Sequence, residues 1–132
     1  MSLQITSTHS DGAFYVYLED VAPDGRVTYV TEGILRASQR AISSATPPAA
    51  TFGPWQSHTR ADFAPLTPGA VTELHFALFP TAVVFRQGHR LQLALAGHDA
   101  DSFLRIPEDG TPTISVRHGS WIDLPIADAW PR

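Results

Sequence analysis

The sequence predicts an all-β fold, a sandwich or jelly roll of about eight short antiparallel strands. Apolar and polar residues alternate over short segments, and turn residues separate those segments. The one helix candidate, at residues 34–40, is too short to suggest a helical layer. A chain of 132 residues is typical of one domain, so we expect residues 1–132 to form a single β-sandwich domain.

An antiparallel hairpin is the most regular element. Residues 13–21 alternate in polarity, with Phe14, Val16 and Leu18 on one face. The sequence Ala-Pro-Asp-Gly at 22–25 favours a type I turn, because Pro presets the backbone of the second turn position and Gly suits the fourth. Residues 26–31 are predicted to form the returning strand.

The remaining strands are predicted from the same alternation. They fall at residues 3–8, 71–78, 82–85, 90–96, 113–117 and 121–126. Side chains two residues apart lie on the same face of a strand, so each apolar row should face a common interior. The residues expected in this core include Phe14, Val16, Leu74, Phe76, Leu91 and Leu93.

Residues 46–69, which we name the excursion, do not fit a compact sandwich. The excursion holds five Pro and two Gly in 24 residues, together with Phe52, Trp55 and Phe63. Structureless loops of this length are uncommon in compact domains, and a disordered linker would rarely hold three aromatic residues. We therefore expect an ordered loop pinned by these three rings, which form our candidate docking or ligand surface.

The composition limits the classes of partner. The formal net charge is -4 and only 17% of residues are charged, so we expect no nucleic-acid partner. No apolar run approaches the roughly 20 residues that span a bilayer, and we expect no membrane partner. The sequence contains no cysteine, which excludes disulfides and thiolate metal sites.

The sequence lacks the nucleophile motif of α/β-type serine hydrolases. That motif, Gly-x-Ser-x-Gly, places the serine on a tight turn between a strand and a helix. No serine here has glycine both two residues before and two residues after it. His118 and Ser120 are near neighbours, but a hairpin turn explains them better because no orienting acid accompanies them. We therefore expect no catalytic residue in this chain.

Metal-binding patterns are also weak. None of the six histidines forms a His-x-His or His-x-x-x-His pair. The densest polar cluster is His98, Asp99 and Asp101, whose oxygens could hold a divalent cation. Aspartates that follow a strand more often bind nearby backbone amides and turn the chain. We expect neither a metal ion nor another cofactor.

Two further groups raise the alternative of ligand binding. Trp55, Trp121 and Trp130 could form a platform on which sugars stack, although Trp121 at a strand start is more typical of core. The sequence Gly-His-Arg at 88–90 could bind an anion, but it is more typical of a turn with a buried or interfacial histidine.

We expect Arg36, His89 and Arg90 to be structural residues. Each lies beside a predicted strand, and Glu32, Asp99 and Asp101 are candidate partners for the two arginines. A partly buried arginine needs such a partner, because an unpaired charge is costly to bury.

Three ordered blocks of sequence resemble a known domain. They are FYVYLEDVAPDGRVTYVTEGILRAS at 14–38, LTPGAVTELHFALFPTAVVFRQGHRLQLALAG at 66–97, and SWIDLPI at 120–126. They resemble the C-terminal domain of hydrolases of the cocaine-esterase (CocE/NonD) type. That domain is also found at the end of Xaa-Pro dipeptidyl-peptidases and is similar in α-amino-acid ester hydrolases. The specific marks are E-G-x-L-R at 32–36, P-T-x-x-x-F-x-x-G-H-R at 80–90 and D-L-P at 123–125.

The resemblance implies a jelly roll of the galactose-binding-like type and a non-catalytic role. In family members an α/β-hydrolase domain precedes this one and carries the catalytic Ser, Asp and His, so none of those positions is expected here. The implied role is to pack on that hydrolase domain, help wall the substrate entrance and support oligomer contacts. The family domain tends to begin earlier, which makes residues 1–3 a candidate added leader.

Two expectations follow for an isolated chain. We expect self-association, through the excursion, through an open sheet edge, or through both, because exposed apolar surface and unpaired strand edges attract partners. The alternative function is an independent module that binds carbohydrate or another small ligand.

Overall fold

The computed structural model describes residues 1–127; Trp130 of the predicted tryptophan platform lies outside these residues. Within them the chain forms six β-strands and two short 3₁₀ helices. The strands are β1 (Ser2–Ser7), β2 (Ala13–Val21), β3 (Val27–Arg36), β4 (Thr72–His75), β5 (Arg90–Ala96) and β6 (Ile114–Val116). The 3₁₀ helices span Ala37–Gln39 and Arg60–Asp62. The prediction of an all-β fold is confirmed.

The strands form two antiparallel three-stranded sheets. One has the order β4-β1-β6 and the other the order β3-β2-β5. The first sheet has β1 at its centre and the second has β2. Residues 8–12 connect these two central strands. This arrangement places the apolar face of β2 opposite that of β1.

The predicted β2–β3 hairpin is confirmed. Its turn is closed by a hydrogen bond from Gly25 N to Ala22 O (2.9 Å) and by Arg26 N donating to the Asp24 carboxylate (3.0 Å). Gly25 has a φ of 86°, a left-handed conformation that a side chain disfavours. A bulge between Leu18 and Glu19 shifts the pairing register in the middle of the hairpin.

The core lies between the two sheets. Phe14 and Val16 of β2 are almost fully buried, as are Ile5 of β1 and Leu74 of β4. The other members of this cluster are Leu3, Leu35, Ala37, Leu66 and Phe76. The predictions for Phe14, Val16, Leu74 and Phe76 are therefore confirmed.

The predictions for Leu91 and Leu93 are wrong, because β5 lies at an open edge. Leu93 faces Leu18 across the ladder, so it does lie on the core side of its sheet. However, Leu91 is 44% exposed, Leu93 39% and Leu95 41%. On the opposite sheet, the edge strand β6 is only three residues long, and within residues 1–127 the leucine row is only partly covered.

Residues 1–127 form six strands, where about eight were predicted for the whole chain. Residues 82–85 follow Pro80 without joining a sheet, and of 121–126 only Trp121 pairs, in a single bridge with Ser2. The helix candidate is the end of β3 followed by one 3₁₀ turn. Residues 2 and 3, expected as part of a leader, belong to β1 and are buried.

In the described part of the chain, the helices are a single turn each, far too short to cross a bilayer.

Candidate functional site

Backbone hydrogen bonds fix the excursion to neighbouring segments at several points between Trp55 and Gly69. Near its start, Ser43 N donates to Trp55 O (2.8 Å). Towards its end, Ala64 N donates to Ser38 O (2.8 Å), Leu66 N to Ser10 O (2.7 Å), and Gly69 N to Ser7 O (2.8 Å). These bonds join it to segments next to β1 and β3, so the expectation of an ordered loop is confirmed.

Three side chains add further anchors to the excursion. Gln56 is buried, and its amide donates to the backbone carbonyl of His75 on β4 (2.7 Å). Arg40 donates to the carbonyl of Ala64, and Leu66 inserts into the core with 5% exposure. Sequence reasoning did not single out these residues, because a polar or aliphatic residue in a Pro-rich segment carries no local signal of a distant partner.

Two of the three aromatic rings, Phe52 and Phe63, do not pin the excursion, contrary to expectation. Phe52 is 69% exposed, Phe63 is 45% exposed, and Trp55 is half-buried. The anchoring is supplied by backbone groups, Gln56 and Leu66 instead. Phe52 and Phe63 are therefore presented to solvent from an anchored loop, which is a typical arrangement for a recognition surface.

Next to Phe52, the excursion contacts a segment that carries a second exposed aromatic residue, Phe79. A Cβ on Gly53 would lie 2.8 Å from Ala77 Cβ, so the excursion touches the chain at this point. Two residues further on, Phe79 is 61% exposed, and its backbone N–H donates to Glu32 O on β3 (2.7 Å). Phe52 and Phe79 thus flank one contact at the β3 edge of the sandwich.

Ala77 also lies unusually close to β3. A Cβ on Gly33 would lie 2.6 Å from the carbonyl oxygen of Ala77, a distance that backbone atoms cannot accommodate without moving. Gly33 therefore permits the close approach that brings Phe79 to this edge.

Arg36 has a structural partner that the sequence did not indicate. Its Nε donates to Asp11 Oδ2 (2.8 Å), not to Glu32, Asp99 or Asp101. The same carboxylate accepts hydrogen bonds from the backbone N–H of Gly12 and from both the N–H and the hydroxyl of Ser38, which is fully buried. Asp11 therefore joins the start of β2 to the end of β3.

His89 and Arg90 differ in their surroundings. His89 Nδ1 lies 2.8 Å from Asp20 Oδ1, and both side chains are mostly buried. This contact links the turn before β5 to the end of β2. The expectation of a partly buried, paired Arg90 is corrected: Arg90 is exposed and forms no ion pair within residues 1–127.

Asp99 acts as a turn and hydrogen-bond acceptor. It accepts the phenol proton of Tyr17 (3.0 Å) and the backbone N–H of Asp101 (3.2 Å). Burial of the phenol, followed by this bond to Asp99, raises the pKa of Tyr17 to about 12. Tyr17 therefore stays protonated near neutral pH and serves as a donor. In the described residues, no three His, Asp or Glu side chains converge as metal ligands, and His98 is exposed.

The remaining candidates from the sequence, the His118 and Ser120 pair and the tryptophans, do not form a common site in the described residues. His118 is exposed in a turn, and the Ser120 hydroxyl accepts from Gln4 N (3.0 Å) and donates to Arg117 O (2.9 Å). Trp121 pairs with β1 through Ser2, whereas Trp55 precedes Gln56, which is bound to β4 on the other side of β1. The sheet thus separates the backbones of these two tryptophans.

The sequence of residues 1–122 matches the family described as the X-Pro dipeptidyl-peptidase C-terminal non-catalytic domain. The chain is also 47% identical over 130 residues to "Putative serine esterase Mb1866c" of Mycobacterium bovis and to "Putative serine esterase MT1883" of Mycobacterium tuberculosis. Each alignment covers 96% of this chain and 20% of the relative, so the chain spans about a fifth of the length of these relatives. No solved structure matches it significantly.

These similarities confirm the resemblance drawn from the three sequence blocks. The family match covers the exposed excursion, the β2–β3 hairpin and all six strands, and it also reaches Trp121. The chain belongs to the family of X-Pro dipeptidyl-peptidase C-terminal non-catalytic domains.

Proposed function

We propose that this chain is an accessory domain of a CocE/NonD-type serine hydrolase, of the acyl-esterase or Xaa-Pro dipeptidyl-peptidase class. In this proposal residues 1–132 are one jelly-roll domain of the galactose-binding-like type within a longer enzyme. It packs on the α/β-hydrolase domain through the excursion and shapes substrate access there. The Ser, Asp and His of catalysis belong to the hydrolase domain, and the accessory domain contributes none of them.

The observation that carries the proposal is the exposure of aromatic rings on an anchored loop. Phe52 and Phe79 flank one contact at the β3 edge, and each is more than half exposed. Exposed apolar surface of this kind typically marks an interaction site, and aromatic residues dominate the binding energy of protein interfaces. Because the excursion is already ordered, docking would lose little conformational entropy.

The 47% identity to proteins named as serine esterases supports the nature of the partner. Those relatives are about five times as long as the matched region, which leaves ample length for a hydrolase domain in the same polypeptide. An accessory role is also in keeping with the family description, which calls the domain non-catalytic.

The second candidate, a carbohydrate-binding module, is favoured by Trp121 alone. Its side chain is 49% exposed, as a sugar-stacking ring would need to be. A module would bind saccharide through that ring in the isolated chain, whereas a docking domain would show no saccharide affinity.

A domain exchange tests the proposal. In the Mycobacterium tuberculosis relative, the matched 130-residue region is replaced by this chain or is deleted, and hydrolysis of p-nitrophenyl acetate and thermal stability are measured. We expect the exchange to preserve both properties and the deletion to lose at least one of them. Introducing Phe52→Ser and Phe79→Ser together should lower the melting temperature of the exchanged enzyme. Tyr29→Ser is the matched control, because Tyr29 is similarly exposed (58%) but lies on the hairpin.

An activity assay on the isolated chain tests the non-catalytic role. It should hydrolyse neither p-nitrophenyl acetate nor an Xaa-Pro anilide above the buffer rate. Turnover that a serine-directed inhibitor abolishes would contradict the non-catalytic role. A deletion variant of the relative that stays fully active and equally stable would contradict the docking role.

A further inference from the structure

A groove lies at the end of the sandwich where β2 begins and β3 ends. Its volume is about 490 Å³, which is within the range of ligand-binding pockets, and Asp11 and Arg36 form one part of its lining. The other lining residues are consecutive in sequence and form the segment 104–109, between β5 and β6. We name it the 104–109 groove.

Both arginines that line the groove are held by contacts within the chain. Arg36 donates to Asp11 through Nε, and within residues 1–127 its two terminal amino groups form no hydrogen bond. Arg105 donates to the carbonyl of Gly110 and to the hydroxyl of Thr111 (2.7 Å for the latter). The two guanidinium groups are therefore fixed before a ligand arrives, and Arg36 retains free N–H donors.

The groove has an excess of negative charge. Its lining holds three carboxylates and two guanidinium groups, a net charge of -1. Asp11 is already paired with Arg36, whereas Glu108 and Asp109 are exposed and form no ion pair in the part of the chain that the structure describes. This balance disfavours an anionic ligand and favours one that carries a single positive charge.

The rest of the lining is aliphatic. Leu104 is 86% exposed, and Ile106 and Pro107 are half-buried. None of the lining residues is aromatic, so the groove has no ring on which a sugar could stack. A lysine side chain has the complementary parts, because its aliphatic stem suits the apolar residues and its ammonium group suits the carboxylates.

We propose that the 104–109 groove binds a lysine-bearing segment of a partner protein. The ammonium group contacts the carboxylates of Glu108 and Asp109, which accept charge-assisted hydrogen bonds. The stem lies along Leu104, and Arg36 donates to a backbone carbonyl of the bound segment. Because the sequence contains no lysine, a second copy of this chain cannot supply that side chain.

This contact uses no residue of the excursion. Phe52 and Phe79, the aromatic residues of the proposed docking surface, do not line the groove. The inference concerns binding by the isolated chain and does not rest on the proposed function, so either can fail without the other.

Titration of the isotope-labelled chain, followed by nuclear magnetic resonance, tests the binding. The probe is the peptide acetyl-Ala-Lys-Ala-amide. Its control is the same peptide with an acetylated lysine, which keeps the stem but loses the charge. We expect saturable shifts of backbone amides within residues 104–109, with a dissociation constant on the order of 1 mM, as suits a contact of about ten ligand atoms. The acetylated peptide should bind about tenfold more weakly or not at all.

Substitutions locate the site. Glu108→Gln together with Asp109→Asn should weaken binding of the lysine peptide by about tenfold or more. The melting temperature should not change, because neither carboxylate forms an ion pair within residues 1–127. Arg36→Ala should weaken binding by about threefold, the effect of one lost hydrogen bond. Arg90→Ala is the matched control, since Arg90 is exposed and pairs with the opposite end of β2.

The two arginine variants separate a direct contact from general electrostatics. Each removes one positive charge, so a purely electrostatic effect would strengthen binding of the cationic peptide in both. Only a direct contact predicts weaker binding for Arg36→Ala alone. Three results would each overturn the proposal: no saturable shift up to about 10 mM peptide, equal binding of the acetylated peptide, or undiminished binding by the variant that lacks both carboxylates.

Discussion

Truncating Phe14 to alanine is expected to lower the free energy of unfolding by about 3–5 kcal/mol. Phe14 lies near the start of β2, is 1% exposed and belongs to the cluster that joins the two sheets. Removing its ring deletes buried apolar surface and leaves a cavity that the surrounding strands can fill only in part. Because small domains are stable by only about 5–15 kcal/mol, this one change should remove a large part of the total. Denaturant unfolding followed by circular dichroism measures it.

Leu93→Ala is the matched comparison. Leu93 also lies on the core side of its sheet, but 39% of it is exposed. In dilute solution its truncation should cost about 1–2 kcal/mol, less than that of Phe14, since 39% of Leu93 is already exposed in the folded chain. If the two substitutions cost the same, the edge of β5 must be covered, and the description of an open leucine row would be wrong.

Asp11→Ala is expected to cost about 2–4 kcal/mol, a large effect for a residue outside the strands. Its carboxylate accepts four hydrogen bonds, two of them from Ser38, and 15% of its side chain is exposed. Alanine would leave the N–H and hydroxyl of fully buried Ser38 without their acceptor. Thermal and denaturant unfolding both measure the loss.

Substitution of Arg36 shows which contact of Asp11 contributes most to the free energy of unfolding. The Arg36 side chain is 46% exposed, and exposed ion pairs contribute about 1 kcal/mol or less. Arg36→Ala should therefore cost much less than Asp11→Ala, with Asp11→Asn in between because the amide keeps one acceptor oxygen. An Arg36→Ala variant as unstable as Asp11→Ala would show that the ion pair, not the bonds to Ser38, holds the two strand ends together.

The local parts of the fold could be predicted from the sequence. The β2–β3 hairpin follows from alternation over 13–21 and the turn chemistry at 22–25, and both act over a few residues. The faces of the strands were also predicted correctly, since Leu93 does share a face with Leu18. Burial was not predictable from alternation alone, because it depends on whether the opposite sheet extends far enough to cover that face.

Long-range polar contacts were also not predictable, because they depend on which distant segments the tertiary structure brings together. Arg36 binds Asp11, 25 residues away, whereas the sequence favoured acidic residues nearer to it or to Arg90. In the excursion, the sequence drew attention to three aromatic residues rather than to the anchors Gln56 and Leu66. The partners of these two residues lie on other elements. Composition indicated that the loop is ordered, but the identity of its anchors requires the tertiary structure.

Amide hydrogen exchange tests most directly whether the excursion is a docking surface. The protein used is the Mycobacterium tuberculosis relative in which this chain replaces the matched region. Amide exchange in residues 46–69 is compared between the isolated chain and the same chain within the Mycobacterium tuberculosis relative. Docking predicts slower exchange around Phe52 in the full-length enzyme, with unchanged exchange at the exposed turn of residues 23–26. Equal exchange of residues 46–69 in the two proteins would contradict it.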